Sequence, residues 1–269
     1  MTLILNEIHV QNGLNETLLV AAADRRVSNP DGSYNSLQRK LFTVPYHNAT
    51  ISYFGIAEVF PSGKREYLSE WLPKYITRQA ASSDLKSFAE TLRTELHNVL
   101  PQGVLQQSPS GFHLCGYNKS GLPEFWSLTN VGGLQGYSHV NFKPQYGSPS
   151  EDFLRRDAVE QLGWDRENPA SAENKIMIYR NGDFRAHVAV WETLDDAMSK
   201  LFQFSDFERP KTPSDYGRYV KFKFEFISYI YKNWTKKNII ARPIDVIVSN
   251  SSGIIFDSSR EREKAGGRS

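Results

Sequence analysis

A single cysteine, Cys115, stands in 269 residues. No intramolecular disulfide framework can form, and the usage suits a reducing compartment. Long apolar runs are missing as well. None approaches the roughly 18 residues of a membrane span, and the opening Met1-Thr2-Leu3-Ile4-Leu5 has neither the basic stretch nor the cleavage site of a secretory signal. Charge of one sign is scarce: 32 Lys and Arg against 30 Asp and Glu leave a formal charge of +2. The basic residues are scattered beside acids, which argues against a nucleic-acid partner. The six histidines (His9, His47, His97, His113, His139 and His187) show no metal-ligand spacing, so neither metal nor other cofactor is expected. Gly-x-Ser-x-Gly, phosphate-loop and His-Glu-x-x-His motifs are absent. Cys115 sits mid-strand among apolar neighbours and reads as a buried thiol. These absences leave a cytoplasmic, globular chain of ordinary composition, 39% hydrophobic and 23% charged.

What is present groups into strands, then helices, then strands. Thr2 to Val10, which alternates, and the almost continuously apolar Thr17 to Ala23 flank an Asn12-Gly13 turn and predict a β-hairpin ending at Asp24-Arg25-Arg26. A turn-rich loop over 28–33 precedes Arg39 to Val44 and a strand from Ala49 to Phe54. Glu66 to Arg78 predicts a helix kinked or broken at Pro73. Leu85, Phe88, Ala89, Leu92, Leu96 and Val99 share one face of a second helix, capped by Ser83 or Asp84. Phe112 to Tyr117 and Glu124 to Leu128 form a strand pair, and Lys175 to Glu192 repeats that hairpin pattern around Asn181-Gly182. Asp152 to Leu162 predicts a helix. Tyr216 to Trp234 is long enough to favour a helix over its competing strand alternation. Pro243 to Val248 and Ile254 to Phe256 close as strands. This grouped order suits an α+β protein rather than a parallel α/β sheet. The charged, glycine-rich 258–269 segment reads as a disordered tail.

The residues with chemistry to offer are Thr2, Asp24 and Lys40. A threonine at a true N-terminus holds a hydroxyl nucleophile and a free α-amine within reach of each other, and the amine can take the hydroxyl proton. An α-amine titrates near neutrality, a nearby lysine ammonium lowers its pKa further by like-charge repulsion, and an aspartate keeps that lysine charged and oriented. The plainer reading makes Thr2 a strand residue and Asp24 with Lys40 a core ion pair.

The setting of these residues resembles the proteasome β-subunits and their bacterial homologues of the Anbu type. Ala22-Ala23-Asp24-Arg25-Arg26 is similar to the family's Ala-Ala-Asp-x-Arg, and Lys40 follows Asp24 at the family's sixteen-residue interval. Phe54-Gly55-Ile56-Ala57-Glu58 resembles the small-residue loop that supplies an oxyanion N–H. Gly116-Tyr117-Asn118-Lys119-Ser120-Gly121 and Pro243-Ile244-Asp245 resemble later motifs. The resemblance implies a four-layer αββα sandwich, two antiparallel sheets between helices, within residues 1–257. It implies a threonine-type peptidase with catalytic Thr2, Asp24, Lys40, Gly55 and Ser148, the last being the equivalent of a serine in a Gly-Ser element. It further implies a peptide or amide substrate, a homo-oligomeric ring or spiral, and a mature chain that starts at Thr2 without a propeptide. Three departures stand out: a longer first hairpin, an apparent insertion around 147–215, and no Asp-x-x-Ser-Gly before Pro243. They leave open a non-catalytic assembly or binding protein and a small-molecule amidohydrolase on the same fold.

Overall fold

Every residue of β1 (Leu3–Val10) and of β2 (Thr17–Asp24) is buried. A sheet with one wet face alternates between buried and exposed side chains, so this hairpin is covered on both faces. The protein, a computed structural model that describes residues 2–29, 33–101, 103–135, 138–165 and 167–260, is built outward from it. Short strands follow: β3 (Arg26–Ser28) with β4 (Tyr34–Leu37), then β5 (Leu41–Val44) with β6 (Ala49–Phe54), and β7 (Glu58–Val59) with β8 (Glu66–Tyr67). After helices α1 (Leu68–Arg78), α2 (Leu85–Val99) and α3 (Val104–Gln107) come β9 (Gly111–Tyr117) and β10 (Pro123–Thr129). Then come the pair β11 (Val131–Gln135) and β12 (Ser138–Phe142), the short β13 (Ser150–Glu151), and helix α4 (Arg156–Gln161). Strand β14 (Lys175–Gly182), helices α5 (Arg185–Leu201) and α6 (Pro213–Trp234), and strands β15 (Ile244–Asn250) and β16 (Gly253–Asp257) complete the described chain.

Two antiparallel sheets result, in the orders β14-β1-β2-β15-β16 and β13-β10-β9-β6-β5. Alternate residues of β1 and β2 go opposite ways. Leu3, Leu5, Val20 and Ala22 pack with Val220, Phe224 and Ile227 of α6 and Trp191 of α5. Ile4, Ala21 and Ala23 meet Leu41 and Phe54 of the other sheet, and Ile8 and Leu19 meet Cys115 and Phe125. On the far side of that second sheet, Ile51, Phe112 and Leu114 pack against Trp71 and Leu72 of α1 and Phe88, Leu92 and Leu96 of α2.

The mixed α and β composition with antiparallel sheets agrees with the sequence expectation, and several elements differ from it. Pro73 lies inside α1, which runs on to Arg78 without a break. Lys175–Glu192 is not a hairpin. Its first half pairs with β1 in the register Leu3↔Gly182, while its second half is helix. His187, Trp191 and Asp195 stand at i, i+4 and i+8 on that helix, with the first two buried and their rings stacked 4.4 Å apart. The 147–215 segment therefore supplies an edge strand and a covering helix of the first sheet. The helix expected over 152–162 is confined to Arg156–Gln161. At the C-terminal end Ser258 is fully buried and its Oγ accepts from Val246 N at 2.9 Å, so the body of the fold extends past 257. Met1, the tip of the 28–33 loop and residues 261–269 lie outside the described residues.

Gly217 sets how closely α6 approaches its sheet. A Cβ there would fall 2.6 Å from Phe256 Cδ1 and 2.9 Å from Val248 Cγ2. Alanine normally stabilises a helix interior by about 1 kcal/mol relative to glycine, whereas overpacking a core costs about 1–3 kcal/mol. Gly217→Ala is therefore expected to lower the urea midpoint, and a raised midpoint would show that α6 is free to shift outward.

Candidate active site

The ends of three strands and one loop converge at Thr2. Thr2 enters β1, Asp24 ends β2, Lys40 immediately precedes β5, and Gly55 immediately follows β6. Thr2 is 2% exposed, Asp24 0% and Lys40 3%, so the three polar groups satisfy one another rather than water. The Thr2 hydroxyl donates to Asp24 Oδ1, and Lys40 Nζ donates to Thr2 Oγ1 at 2.7 Å. Lys40 Nζ also stands 3.4 Å from Asp24 Oδ1 and donates to the Arg26 carbonyl. Backbone donors complete the aspartate: Leu3 N to Oδ1 at 3.1 Å and Arg26 N to Oδ2 at 2.9 Å.

Burial holds Lys40 below the ordinary lysine pKa, and the Asp24 carboxylate offsets part of that by attraction and hydrogen bonding. Tyr53, whose hydroxyl donates to the Arg39 carbonyl at 3.0 Å, is pushed upward by burial and by Asp24, so it stays neutral. The next residue along, Arg25, makes a two-pronged ion pair with Asp245 at 2.7 and 2.8 Å. That pair joins the Ala-Ala-Asp-Arg-Arg stretch to the Pro-Ile-Asp strand, where Ile244 lies opposite Asp24.

Thr2, Lys40, Tyr53 and Gly55 line one cleft of about 70 Å³, together with Arg26, Val27, Ser28, Phe54, Ile56 and Ala57. Gly55 has φ +88°, and a Cβ there would lie 2.0 Å from the Pro109 carbonyl oxygen, so only glycine fits this turn. Three of the five candidate residues, Thr2, Lys40 and Gly55, thus line the cleft, and Asp24 lies buried behind them. Ser148 does not line it. It is exposed in the connection between β12 and β13, where Gly147 N is held by the Thr129 carbonyl at 3.1 Å.

At Thr2 the structure places Gly182 and Asp183 instead. Gly182 has φ +90° and presses its backbone on the Thr2 carbonyl, 1.9 Å from where a Cβ would sit. Asp183 N donates to that carbonyl at 2.7 Å. Its carboxylate accepts from Tyr231 at 2.6 Å and pairs with Arg185. Burial opposes the Asp183 charge, and these bonds outweigh it and hold the carboxyl below its usual range. The Asn181-Gly182 pair was visible in the sequence, but Asn-Gly is also the commonest hairpin turn signal. Among the described residues, no group of three or more His, Cys, Asp or Glu is arranged to hold a metal ion, and no helix is long and apolar enough to cross a membrane.

No protein-family model and no curated protein matches the chain. Among solved structures it is similar to that of an Anbu (Gly-1) mutant from Hyphomicrobium sp. strain MC1. The two are 11% identical, with a TM-score of 0.45, over 96% of this chain and 86% of that one.

The Gly55 turn gives a direct check on the cleft wall. Gly55→Ala forces a left-handed backbone on a residue with a Cβ and drives that Cβ into Pro109, a strain of about 1–3 kcal/mol. Equilibrium unfolding should show a loss of that size, and an unchanged midpoint would mean the loop relaxes freely.

Proposed function

We propose that the chain is an N-terminal threonine amide hydrolase of proteasome type, a peptidase built on a four-layer αββα frame. The observation that carries this reading is the 2.7 Å approach of Lys40 Nζ to Thr2 Oγ1 inside a buried cluster that opens on the Gly55 cleft. A structural ion pair between Asp24 and Lys40 has no need of a hydroxyl at its apex. A nucleophile does, because an ammonium at hydrogen-bond distance stabilises the alkoxide as it forms.

In the proposed reaction Met1 is first removed, which frees the Thr2 amine. Thr2 Oγ1 attacks the carbonyl carbon of the scissile amide while its proton passes to that amine, directly or through a water. The carbonyl electron pair moves onto oxygen and is met by backbone N–H groups of the Gly55 loop. Collapse expels the amine leaving group, which takes the proton back, and water then hydrolyses the threonine ester. Asp24 keeps Lys40 charged and aimed throughout. A cleft of about 70 Å³ is small against the roughly 300–1,000 Å³ of enveloping small-molecule sites. It suits an extended chain lying across the opening, which favours a peptide over a small amide. Self-assembly into a ring or spiral belongs to the same proposal. The exposed Phe222, Phe226, Tyr229 and Trp234 of α6 support it, since contiguous exposed apolar side chains mark interaction surfaces.

Intact mass and peptide turnover test the reading together. Protein purified from its native host should lack Met1 and cleave peptides. Thr2→Ala should remove turnover with a stability change of about 1 kcal/mol or less. Retention of Met1, or activity surviving in Thr2→Ala, would sink it.

The pH profile tests Lys40. The protonated lysine is the useful form, and its pKa is below the ordinary 10.5. Burial disfavours the folded charge, so stability rises with pH between the folded and unfolded values, while kcat/KM should fall as pH passes the folded value. An alkaline limb that begins only above 10.5 would show that Lys40 is not the group lost.

A further inference from the structure

The far end of β1 carries a second cluster that the Thr2 chemistry does not use. Glu7 is 1% exposed, and its carboxylate is held from three elements. Trp191 Nε1 of α5 donates to Oε1 at 3.1 Å, Tyr216 of α6 donates its hydroxyl to Oε2 at 2.9 Å, and His9 Nε2 lies 2.8 Å from Oε2. Burial works against the Glu7 charge, but the His9 bond and the nearby Lys223 outweigh it and leave the carboxyl below its ordinary range. An ionised carboxylate only accepts, so His9 Nε2 is the donor. The ring is fixed in one orientation, with Tyr216 edge-on at 4.6 Å.

That assignment leaves Nδ1 as the working nitrogen. His9 is 7% exposed, it lines a cleft of about 400 Å³, and among the described residues its Nδ1 has no protein partner. A neutral ring whose Nε2 donates to Glu7 presents the Nδ1 lone pair to the cleft, so an acid group arriving there can share its own proton with Nδ1 and extend the Glu7–His9 hydrogen bond into a chain. The cleft adds Lys211 and the first turn of α6 through Thr212 and Pro213, with hydroxyl and amide groups from Ser251 and Asn250. A helix start favours anions, although Asp215 in the capping box with Thr212 already offsets part of that field. One acid, Glu16, lines the cleft, and a second, Glu208, lies beside Lys211. Glu16 is engaged by Asn12 Nδ2 at 2.5 Å, and Glu208 pairs with Lys211 at 3.1 Å on the exposed rim.

We propose that this cleft binds a small organic anion whose carboxyl or phosphate group shares a proton with His9 Nδ1 in a hydrogen bond, with Lys211 as the second contact. The volume lies within the range of small-molecule sites. Seven residues of extended strand separate His9 from Thr2, about 23 Å, so the site is distinct from the cleft at Thr2.

The test is thermal unfolding of the full chain with citrate, inorganic phosphate or glycerol, for the wild type, His9→Gln and Lys211→Gln. Salts excluded from the surface stabilise all three chains alike, so the informative quantity is the saturable part that differs between them. Citrate or phosphate should raise the wild-type Tm saturably and glycerol should not. Lys211→Gln, a change on the exposed rim, should bind about tenfold more weakly, and His9→Gln at least as much. Citrate alone assigns a carboxylate ligand and phosphate alone a phosphoryl one. Should His9→Gln unfold, the imidazole nitrogen resonances of wild-type protein decide, since Nδ1 must shift saturably during the citrate or phosphate titration. Neither anion acting, equal responses in Lys211→Gln and wild type, or a silent His9 resonance would overturn the proposal.

Discussion

An ammonium ion that is 3% exposed needs oxygen atoms around it, and in this protein they come from three places at once. The effective cost of drying such a charge is several kcal/mol. Lys40 recovers it from the Asp24 carboxylate, the Arg26 carbonyl and the Thr2 hydroxyl. Asp24 is in turn completed by two backbone N–H groups, one in each adjoining strand segment. The start of β1, the end of β2 and the approach to β5 must therefore meet within a few ångströms, and the facing of the two sheets follows from that meeting.

Midway along β1 a second polar contact crosses between the sheets. His113 of β9 bonds Asn6 of β1 through Nδ1 at 3.0 Å and Asn181 of β14 through Nε2 at 2.7 Å. Burial depresses its pKa to about 3, so the ring stays neutral and the crosslink keeps its form through the physiological range. Buried polar groups of this kind fix register where apolar packing alone tolerates slippage. A one-residue slip of β1 would carry Thr2 away from Asp24 and Lys40. Asn6, four residues along the strand, opposes that slip.

Much of this was legible in the residues. The apolar run Thr17 to Ala23 announced a strand, while Asp24 and Lys40 stood out through the resemblance of Ala22-Ala23-Asp24-Arg25-Arg26 and the sixteen-residue interval to the family pattern. Gly55 was singled out by the same resemblance, and α2 was legible because its apolar face repeats and Asp84 caps it, accepting from Ser87 N. The failures have separate causes. Asn181-Gly182 carries a local turn signal, and the local signal is the same whether a strand or a helix follows. Only the docking of Trp191 and Phe184 on the first sheet decides for helix. Ser148 was placed by its Gly-Ser context alone, and context of two residues says nothing about which strand end the segment passes. The Glu7 cluster was hidden for a third reason: His9, Trp191 and Tyr216 are brought together by tertiary packing across more than 200 positions of chain.

The pairing order has a consequence for when the site can exist. Asp24 has its cross-strand neighbour at Ile244, and the Thr2 carbonyl has its donor at Asp183. A chain emerging at about 5–20 residues per second therefore leaves the Thr2–Asp24–Lys40 cluster without its full surroundings for roughly ten to forty seconds, until β15 is made. Thr2 and Asp24 are thus framed by residues far later in the chain, so a chain cut before β15 carries the Thr2 hydroxyl without the surroundings it has in the complete fold.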